Sequence, residues 1–278
     1  MKIIFSSKCL EYSLAGHPES PDRVGESARF LREKGYEFIE PEPCQEKDII
    51  LVHSQKLLDE VKTESFLDPD TPATHNIFFY ARLSAGGALK AAELALSGEQ
   101  AFSLMRPPGH HAGKDFLGGF CYFNNIAIAV KKSLSKVDKI AILDIDCHHG
   151  NGTQDIFLGS SRVLYVSLHQ YPFYPGTGGA SEFNALNFPL TAGTGEEKYL
   201  ETLDLALRKI YEFKPGLLAI SAGFDTYEKD PLTQFGLNLD SYKKISKKIA
   251  DLRLPTFSVL EGGYSQDLPK CIDNYLEG

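Results

Sequence analysis

The sequence predicts an α/β fold in which an open, mainly parallel sheet is flanked by helices, within a single domain spanning residues 1–278. Short apolar runs alternate with amphipathic, helix-forming stretches, and no repeat or polar linker divides the chain. The central run is apolar throughout, as in a strand buried on both faces. Several runs are followed at once by polar or aromatic side chains, which is typical of a parallel sheet with a site at one edge.

The strands are predicted from these apolar runs, at 3–5, 36–39, 101–104, 140–143, 163–168, 217–220 and 256–260. An Ala-rich helix is predicted over 76–96. A shorter helix is predicted over 27–34, because Pro18 and Pro21 keep the preceding loop from being helical. Thr194 begins another helix through a capping box with Glu197, and Asp240 caps a further one.

Composition excludes several classes of protein. With 278 residues, 42% hydrophobic and 24% charged, the chain can bury a sizeable core. Its net charge of −8 gives no electrostatic support for binding nucleic acid. The five scattered cysteines form no C-x-x-C pair, which indicates a reducing, cytoplasmic setting. No stretch approaches the ~18 apolar residues of a membrane span.

The stretch 140–152 carries the strongest chemical signal. Its apolar strand ends in Asp144, Asp146 and His148, which alternation in an extended chain places on one side. A carboxylate and an imidazole two residues apart can converge on a divalent cation. The alternative is a structural ion-pair network. No Lys or Arg lies between Lys139 and Arg162 to pair with these carboxylates, and burying them unpaired would be costly.

Five apolar strands deliver polar or aromatic side chains at their carboxyl ends: His110 with His111, Asp146 with His148, His169 with Tyr174, Asp225, and Tyr264. We expect these side chains to share one site, since ligands bind at that edge of such sheets. Asp146, His148 and Asp225 leave room for water and substrate, as in a catalytic zinc site. Glycines around Phe120 and Tyr174 let aromatic walls approach a slender substrate, which predicts a narrow apolar tunnel above the metal.

The chemistry predicted for this site is hydrolysis. A divalent ion activates water and polarises a carbonyl, and the oxygen-rich ligand set also suits Fe(II), Co(II) or Mn(II). His110 and His111 are candidate bases, with tautomers and charges set by partners such as Asp144 and Asn151. Tyr264, which follows two glycines, would donate a hydrogen bond to a tetrahedral oxyanion.

The sequence resembles the histone deacetylase superfamily. This superfamily comprises zinc-dependent deacetylases and acetylpolyamine amidohydrolases with an arginase-like α/β fold. The matching motifs are RPPGHH, GGFCYFNN, DIDCHHGNG, SLHQYPFYPGTG, SAGFD and EGGY, and they cover nearly the whole chain. The resemblance implies that zinc binds Asp146, His148 and Asp225. It also implies that His111 is the general base and later acid. His110, paired with Asp144, would be an electrostatic partner, and Tyr264 would hydrogen-bond the substrate carbonyl and the oxyanion.

The same resemblance implies further contacts. Phe120 and Tyr174 would line an acyl-lysine tunnel with Gly119 beside it, Arg23 would lie near an inner cavity for the acetate product, and Asp70 would bind the substrate backbone at the rim. A structural potassium ion is also implied, held by the Asp144 side chain and by backbone carbonyls around Asp146, His148, Ser167 and Leu168.

Two departures from the family pattern carry predictions. Asn151 stands where class I enzymes have aspartate, and HPESPDR likewise resembles the class II and bacterial branch. The pKa of His111 should then be less elevated than beside a carboxylate. Tyr174 stands where most relatives have phenylalanine, which adds a hydroxyl to the tunnel wall.

The predicted substrate is an Nε-acyl-lysine in protein or peptide, because Leu232 occupies the position of a gatekeeping glutamate in the polyamine-selective relative. The alternative is acetylpolyamine or another small acetylated amine. A non-catalytic acyl-lysine binder would be expected to lose a ligand, the base or the tyrosine, and all are present. A ureohydrolase of arginase type would need a second set of aspartates.

Overall fold

The parallel sheet is confirmed in the computed structural model, which describes residues 1–278. It contains eight strands: β1 (Lys2–Ile4), β2 (Glu37–Ile39), β3 (Ala101–Ser103), β4 (Ile140–Asp144), β5 (Val163–Gln170), β6 (Ala185–Leu190), β7 (Leu217–Ala222) and β8 (Thr256–Leu260). All neighbours pair in parallel, in the order β2-β1-β3-β8-β7-β4-β5-β6. Asp144 at the end of β4 is in register with Ser167 on β5 and Ser221 on β7.

Helices cover both faces of this sheet. They are α1 (Pro21–Glu33), α2 (Glu46–Ile49), α3 (Gln55–Lys62), α4 (Ile77–Leu96), α5 (Asn125–Ser133), α6 (Asn151–Phe157), α7 (Glu196–Phe213), α8 (Leu239–Ala250) and α9 (Leu268–Glu277). None is both long and apolar enough to cross a bilayer.

Two hydrophobic cores lie on opposite faces of the sheet. Ala141 and Leu143 of β4 pack in the core formed with α1, α7, α8 and α9. Ile140 and Ile142 pack in the other core, with α3, α4 and α5. Successive side chains of a strand point to opposite faces, so a strand covered on both sides must be apolar throughout.

Three predicted helix starts are wrong. α1 begins at Pro21 rather than 27, because proline at the first helical position lacks only an N–H that needs no partner there. α7 begins at Glu196, and the Thr194 hydroxyl donates instead to Thr191 O at 2.7 Å. α8 is capped by Asn238, which exchanges side-chain and backbone hydrogen bonds with Ser241, and Asp240 lies in the first turn.

The sequence interpretation also missed one strand and five helices. β6 is an edge strand that contains Pro189, and proline is tolerated at an edge but weakens the strand signal. α5 is apolar on nearly all sides because it is buried, so it lacks an amphipathic stripe. α2, α3, α6 and α9 have ten residues or fewer, which leaves little room for periodicity.

Candidate active site

The candidate site lies at the carboxyl ends of four neighbouring strands, β3, β8, β7 and β4. The loop after β3 carries His110 and His111, β8 leads to Tyr264, β7 to Asp225, and β4 to Asp146 and His148. The sheet order therefore brings together segments that are up to 154 positions apart along the chain, from His110 to Tyr264.

Asp146, His148 and Asp225 form a compact group of possible metal ligands. One ligand atom from each lies within 4.8 Å of the others. His148 Nδ1 is 3.1 Å from Asp146 Oδ1 and 2.8 Å from Asp225 Oδ2. The backbone fixes both carboxylates, since Cys147 N donates to Asp225 Oδ1 at 2.8 Å and Gly262 N donates to Asp146 Oδ2 at 2.7 Å.

This group fits a divalent cation. Asp225 Oδ2 is buried and accepts no hydrogen bond, although His148 Nδ1 lies 2.8 Å away. Burial and the Asp146 carboxylate raise the pKa of Asp225 to about 7, and a bound cation would relieve both effects. Glycine is required beside the group, because a Cβ on Gly223 would lie 2.1 Å from Asp146 Oδ2.

His110 is paired with a buried carboxylate. Its Nδ1 donates to Asp144 Oδ2 at 3.0 Å, and the same oxygen accepts from the Tyr165 hydroxyl at 3.0 Å. Burial opposes the charged imidazole, but the Asp144 and Asp146 carboxylates outweigh it and raise the pKa of His110 to about 10. The arrangement therefore favours a positively charged His110.

His111 has the opposite character. Its Nδ1 lies 2.7 Å from Asn151 Oδ1, a neutral acceptor, and its ring centroid is 4.1 Å from that of His110. Burial and the neighbouring His110 and His148 rings lower the pKa of His111 well below 6.5. With Nδ1–H donating to Asn151, the unprotonated Nε2 of His111 is available as a base.

A carboxylate holds the backbone of Tyr264, and a guanidinium lies against its ring. Its backbone N–H donates to Asp230 Oδ2 at 2.7 Å, and the Arg23 guanidinium lies over its ring, 4.6 Å from the centroid. Arg23 also donates to Gly263 O and Glu261 O, both at 2.7 Å. Burial raises the pKa of Tyr264 well above 10, so the phenol remains a hydrogen-bond donor.

Most of these groups line one cavity of about 310 Å³, whereas Asp144, Asn151 and Asp225 lie behind the residues that line it. Its predicted members are Asp70, His110, His111, Gly119, Phe120, Asp146, His148, Tyr174, Leu232 and Tyr264. The Tyr174 ring meets the His111 ring edge-on at 5.2 Å. Arg23 does not line this cavity and lies behind Tyr264 instead. A larger open cleft of about 570 Å³, between residues 40–48 and α4, shares none of these residues.

The remaining residues of the implied potassium site lie on two neighbouring strands. Asp144 and Ser167 are register partners on β4 and β5, with Leu168 next along β5. The Ser167 hydroxyl lies 2.8 Å from His169 Nδ1. The proposed potassium site at these residues remains a prediction.

The sequence interpretation missed three buried acidic groups that support the site. Glu261 Oε2 accepts from Gly109 N and His110 N at 2.7 and 3.1 Å, which fixes the histidine loop to the end of β8. The Asp230 carboxylate accepts hydrogen bonds from Leu232 N and from Tyr264 N, and so joins the segment of Leu232 to that of Tyr264. Glu19 forms a bidentate ion pair with Arg106, with both bonds at 2.7 Å. Glu261 lies inside the EGGY motif, and Arg106, the partner of Glu19, lies inside RPPGHH. Membership of these motifs is the sequence signal that could have indicated the two residues.

Known proteins resemble this chain over most of its length. Residues 17–278 match the histone deacetylase domain. A probable deacetylase from Archaeoglobus fulgidus is 40% identical over 95% of this chain and 81% of its own length. Acetylpolyamine amidohydrolase 1 of Pseudomonas aeruginosa is 42% identical over 75% of this chain and 64% of its own. A crystal structure of acetylpolyamine aminohydrolase from Burkholderia pseudomallei matches with a TM-score of 0.93 at 29% identity, over 99% of this chain and 97% of that one.

Proposed function

The chain belongs to the histone deacetylase family of amide hydrolases, and from this premise we propose that it removes the acetyl group from Nε-acetyl-lysine in peptides or proteins. The observation that carries the chemistry is the juxtaposition, at one cavity, of a three-ligand metal group, a neutral histidine and a protonated tyrosine. We further propose Zn²⁺ as the ion, with Fe²⁺ as the alternative, since both accept imidazole and carboxylate ligands.

The bound ion would polarise the substrate carbonyl and make the attacking water more acidic. His111 Nε2 accepts the proton of that water, because its low pKa keeps the imidazole neutral, and returns the proton to the leaving amine. Asn151 holds the required tautomer through Nδ1. His110, kept positive by Asp144, and the Tyr264 phenol then stabilise the developing oxyanion.

Leu232 supports acetyl-lysine over a polyamine. It is an apolar side chain, 37% exposed, at the rim of the cavity, and it offers no charge partner to a cationic amine. The second candidate substrate is a small acetylated amine. It is favoured by the Asp70 carboxylate at the same rim and by relatives that are named acetylpolyamine amidohydrolases.

The deciding experiment compares kcat/KM of the zinc-loaded protein on an acetyl-lysine peptide and on N-acetylputrescine. A preference for the peptide of tenfold, about 1.4 kcal/mol of transition-state binding, supports the lysine assignment, and the reverse preference replaces it with the small-amine assignment. His111→Ala is the negative control. Binding of the peptide without turnover of any acyl amide would instead indicate a non-catalytic acyl-lysine binder.

A further inference from the structure

A tight turn in the tunnel wall contains an aromatic residue in an unusual backbone conformation. Gly118 and Cys121 exchange backbone hydrogen bonds of 3.1 and 3.0 Å, so Gly119 and Phe120 form a two-residue hairpin loop. Both have positive φ, 56° at Gly119 and 70° at Phe120, as in a type I′ turn. A bulky residue with positive φ is an outlier, and it persists only where surrounding contacts hold it.

The holding contact comes from the rim segment, residues 68–74. Phe120 N donates to Thr71 Oγ1 at 3.0 Å, and Thr71 is completely buried. Thr71 is itself fixed on both sides. The His17 ring bonds through Nε2 to Asp70 O at 3.1 Å, and the Tyr122 hydroxyl donates to Pro72 O at 2.6 Å. The threonine hydroxyl is therefore a stationary acceptor for the strained turn.

The position of Phe120 affects the tunnel directly. Its ring meets the His17 ring edge-on at 4.7 Å on one side and the Tyr264 ring at 5.8 Å on the other. A Cβ on the preceding Gly119 would lie 2.4 Å from the His111 ring, so the turn also packs closely against that histidine. Relaxation of Phe120 toward negative φ would therefore displace its ring from between the His17 and Tyr264 rings in the cavity wall.

We propose that Thr71 is a positioning residue that holds Phe120 in the tunnel wall and thereby sets the tunnel width for the alkyl chain of the substrate. Thr71 contacts no reacting atom and acts only through the Phe120 backbone. The proposal rests on the proposed function, because it requires an acylated alkylamine to pass along the Phe120 ring.

The test replaces Thr71 by valine, which keeps the shape and removes the acceptor. Thr71→Val should raise KM about tenfold and change kcat by less than about threefold, because it weakens binding along the tunnel without touching the reacting groups. Hydrogen exchange at the Phe120 amide, measured by NMR, should become at least about tenfold faster. Thr71→Ser, which keeps the hydroxyl, should restore both quantities.

Thr74→Val is the matched control. It makes the same chemical change in the same segment, but the Thr74 hydroxyl has no hydrogen-bond partner, so KM and Phe120 exchange should not change. The proposal is overturned if Thr71→Val leaves both quantities unchanged, or if Thr71→Ser loses as much as Thr71→Val. If the wild-type protein hydrolyses no acylated amine, the proposed function fails, and Phe120 exchange alone decides whether Thr71 holds the turn.

Discussion

At the scale of single residues, the site depends on side chains that burial or charged neighbours keep in one protonation state. Tyr264 stays a neutral phenol and His111 a neutral imidazole, whereas His110 is held positive by Asp144. Each group therefore starts the reaction in one role: the Tyr264 phenol as a hydrogen-bond donor, His111 as a proton acceptor and His110 as a positive charge. This separation of roles follows from neighbours and burial, not from residue type.

The first prediction concerns the Tyr264 hydroxyl. Tyr264→Phe should lower kcat by about 10²–10³ with little change in KM, because a donor to the oxyanion acts mainly in the transition state. Steady-state kinetics on an acetyl-lysine peptide measures this. Tyr80→Phe removes a phenol that bonds Glu11 at 3.2 Å, outside the cavity, and should leave kcat unchanged. A KM effect alone would argue against the proposed role of Tyr264.

The second prediction concerns the buried Glu19–Arg106 pair. Arg106 is fully buried, and its Nη1 also donates to Cys9 O and Tyr12 O at 2.7 and 2.9 Å. Glu19→Gln leaves this cation without its counter-ion and should lower the free energy of unfolding by about 3–5 kcal/mol. Urea denaturation measures the change.

The same substitution at an exposed ion pair is the control for Glu19→Gln. Glu212→Gln removes the partner of Lys209, 2.8 Å away on the surface of α7, and should cost less than about 1 kcal/mol. Equal losses for the two variants would contradict the argument from burial.

At the scale of secondary structure, the site is built where strands end and helices begin. Gly150 precedes α6, whose first residue, Asn151, holds His111. The short loop between β4 and α6 therefore carries Asp146 and His148 and leads directly into the helix that orients the base. Gly150 itself has no side chain to cap α6, whereas α3, α5 and α8 each begin after a residue whose side chain accepts a backbone N–H of the first turn.

The third prediction tests the corrected start of α8. Asn238→Ala removes the side chain that accepts from Ser241 N at 3.2 Å and should cost about 1 kcal/mol of stability. Asp240→Ala removes only a charge from the first turn and should cost a few tenths of this amount. Thermal unfolding compares the two variants, and a larger loss for Asp240→Ala would restore Asp240 as the cap.

At the scale of the whole molecule, stability depends on pH through buried histidines. Burial lowers the pKa of His53 from 6.5 to about 4 and that of His169 to about 3. The His53 ring is satisfied in its neutral form, since Nδ1 bonds Gly113 O at 2.7 Å and Nε2 accepts from Asn124 N at 2.9 Å. The unfolded chain therefore binds protons at a higher pH than the folded chain.

The fourth prediction follows from this difference. The contribution of each such histidine to the free energy of unfolding should fall as the pH decreases from about 6.5 toward 4, by up to about 1.4 kcal/mol per pH unit. His53→Gln should reduce the slope of the unfolding free energy against pH by up to about 1.4 kcal/mol per pH unit, the contribution of one proton. His75→Gln, at an exposed position, should leave this slope unchanged. Urea denaturation across this pH range measures the slopes, and identical slopes for wild type and His53→Gln would refute the assignment.

The fifth prediction concerns removal of the metal. An ion at 100 times its Kd stabilises the folded state by about 2.7 kcal/mol, or roughly 5–10 °C in Tm for a chain of this size. Zn²⁺ should therefore raise the Tm of the chelator-treated protein, but not that of Asp225→Asn. Asp204→Asn, which alters an exposed pair with Lys248, is the control that should keep the response.

The sequence alone determined the fold class and much of the candidate site. A strand buried on both faces must be apolar, so the sheet can be read locally, and parallel strands place their carboxyl ends at one edge. Asp146 and His148 could be named together from their spacing in DIDCHHGNG, but the expected extended chain is wrong, because β4 ends at Asp144 and both residues lie in the bend that follows. The RPPGHH, DIDCHHGNG and EGGY motifs then identified the family, which the comparisons confirm.

Only the tertiary structure decided which groups support that site. Thr71 meets Phe120 across 49 positions, Glu19 meets Arg106 across 87, and Glu261 meets Gly109 across 152. Two of these contacts end on a backbone N–H, which every residue except proline possesses, so no residue type in the sequence indicates the partner. The contact between Glu261 and Gly109 depends on β3 and β8 being neighbours in the sheet, and that order results from packing between distant segments rather than from any local pattern.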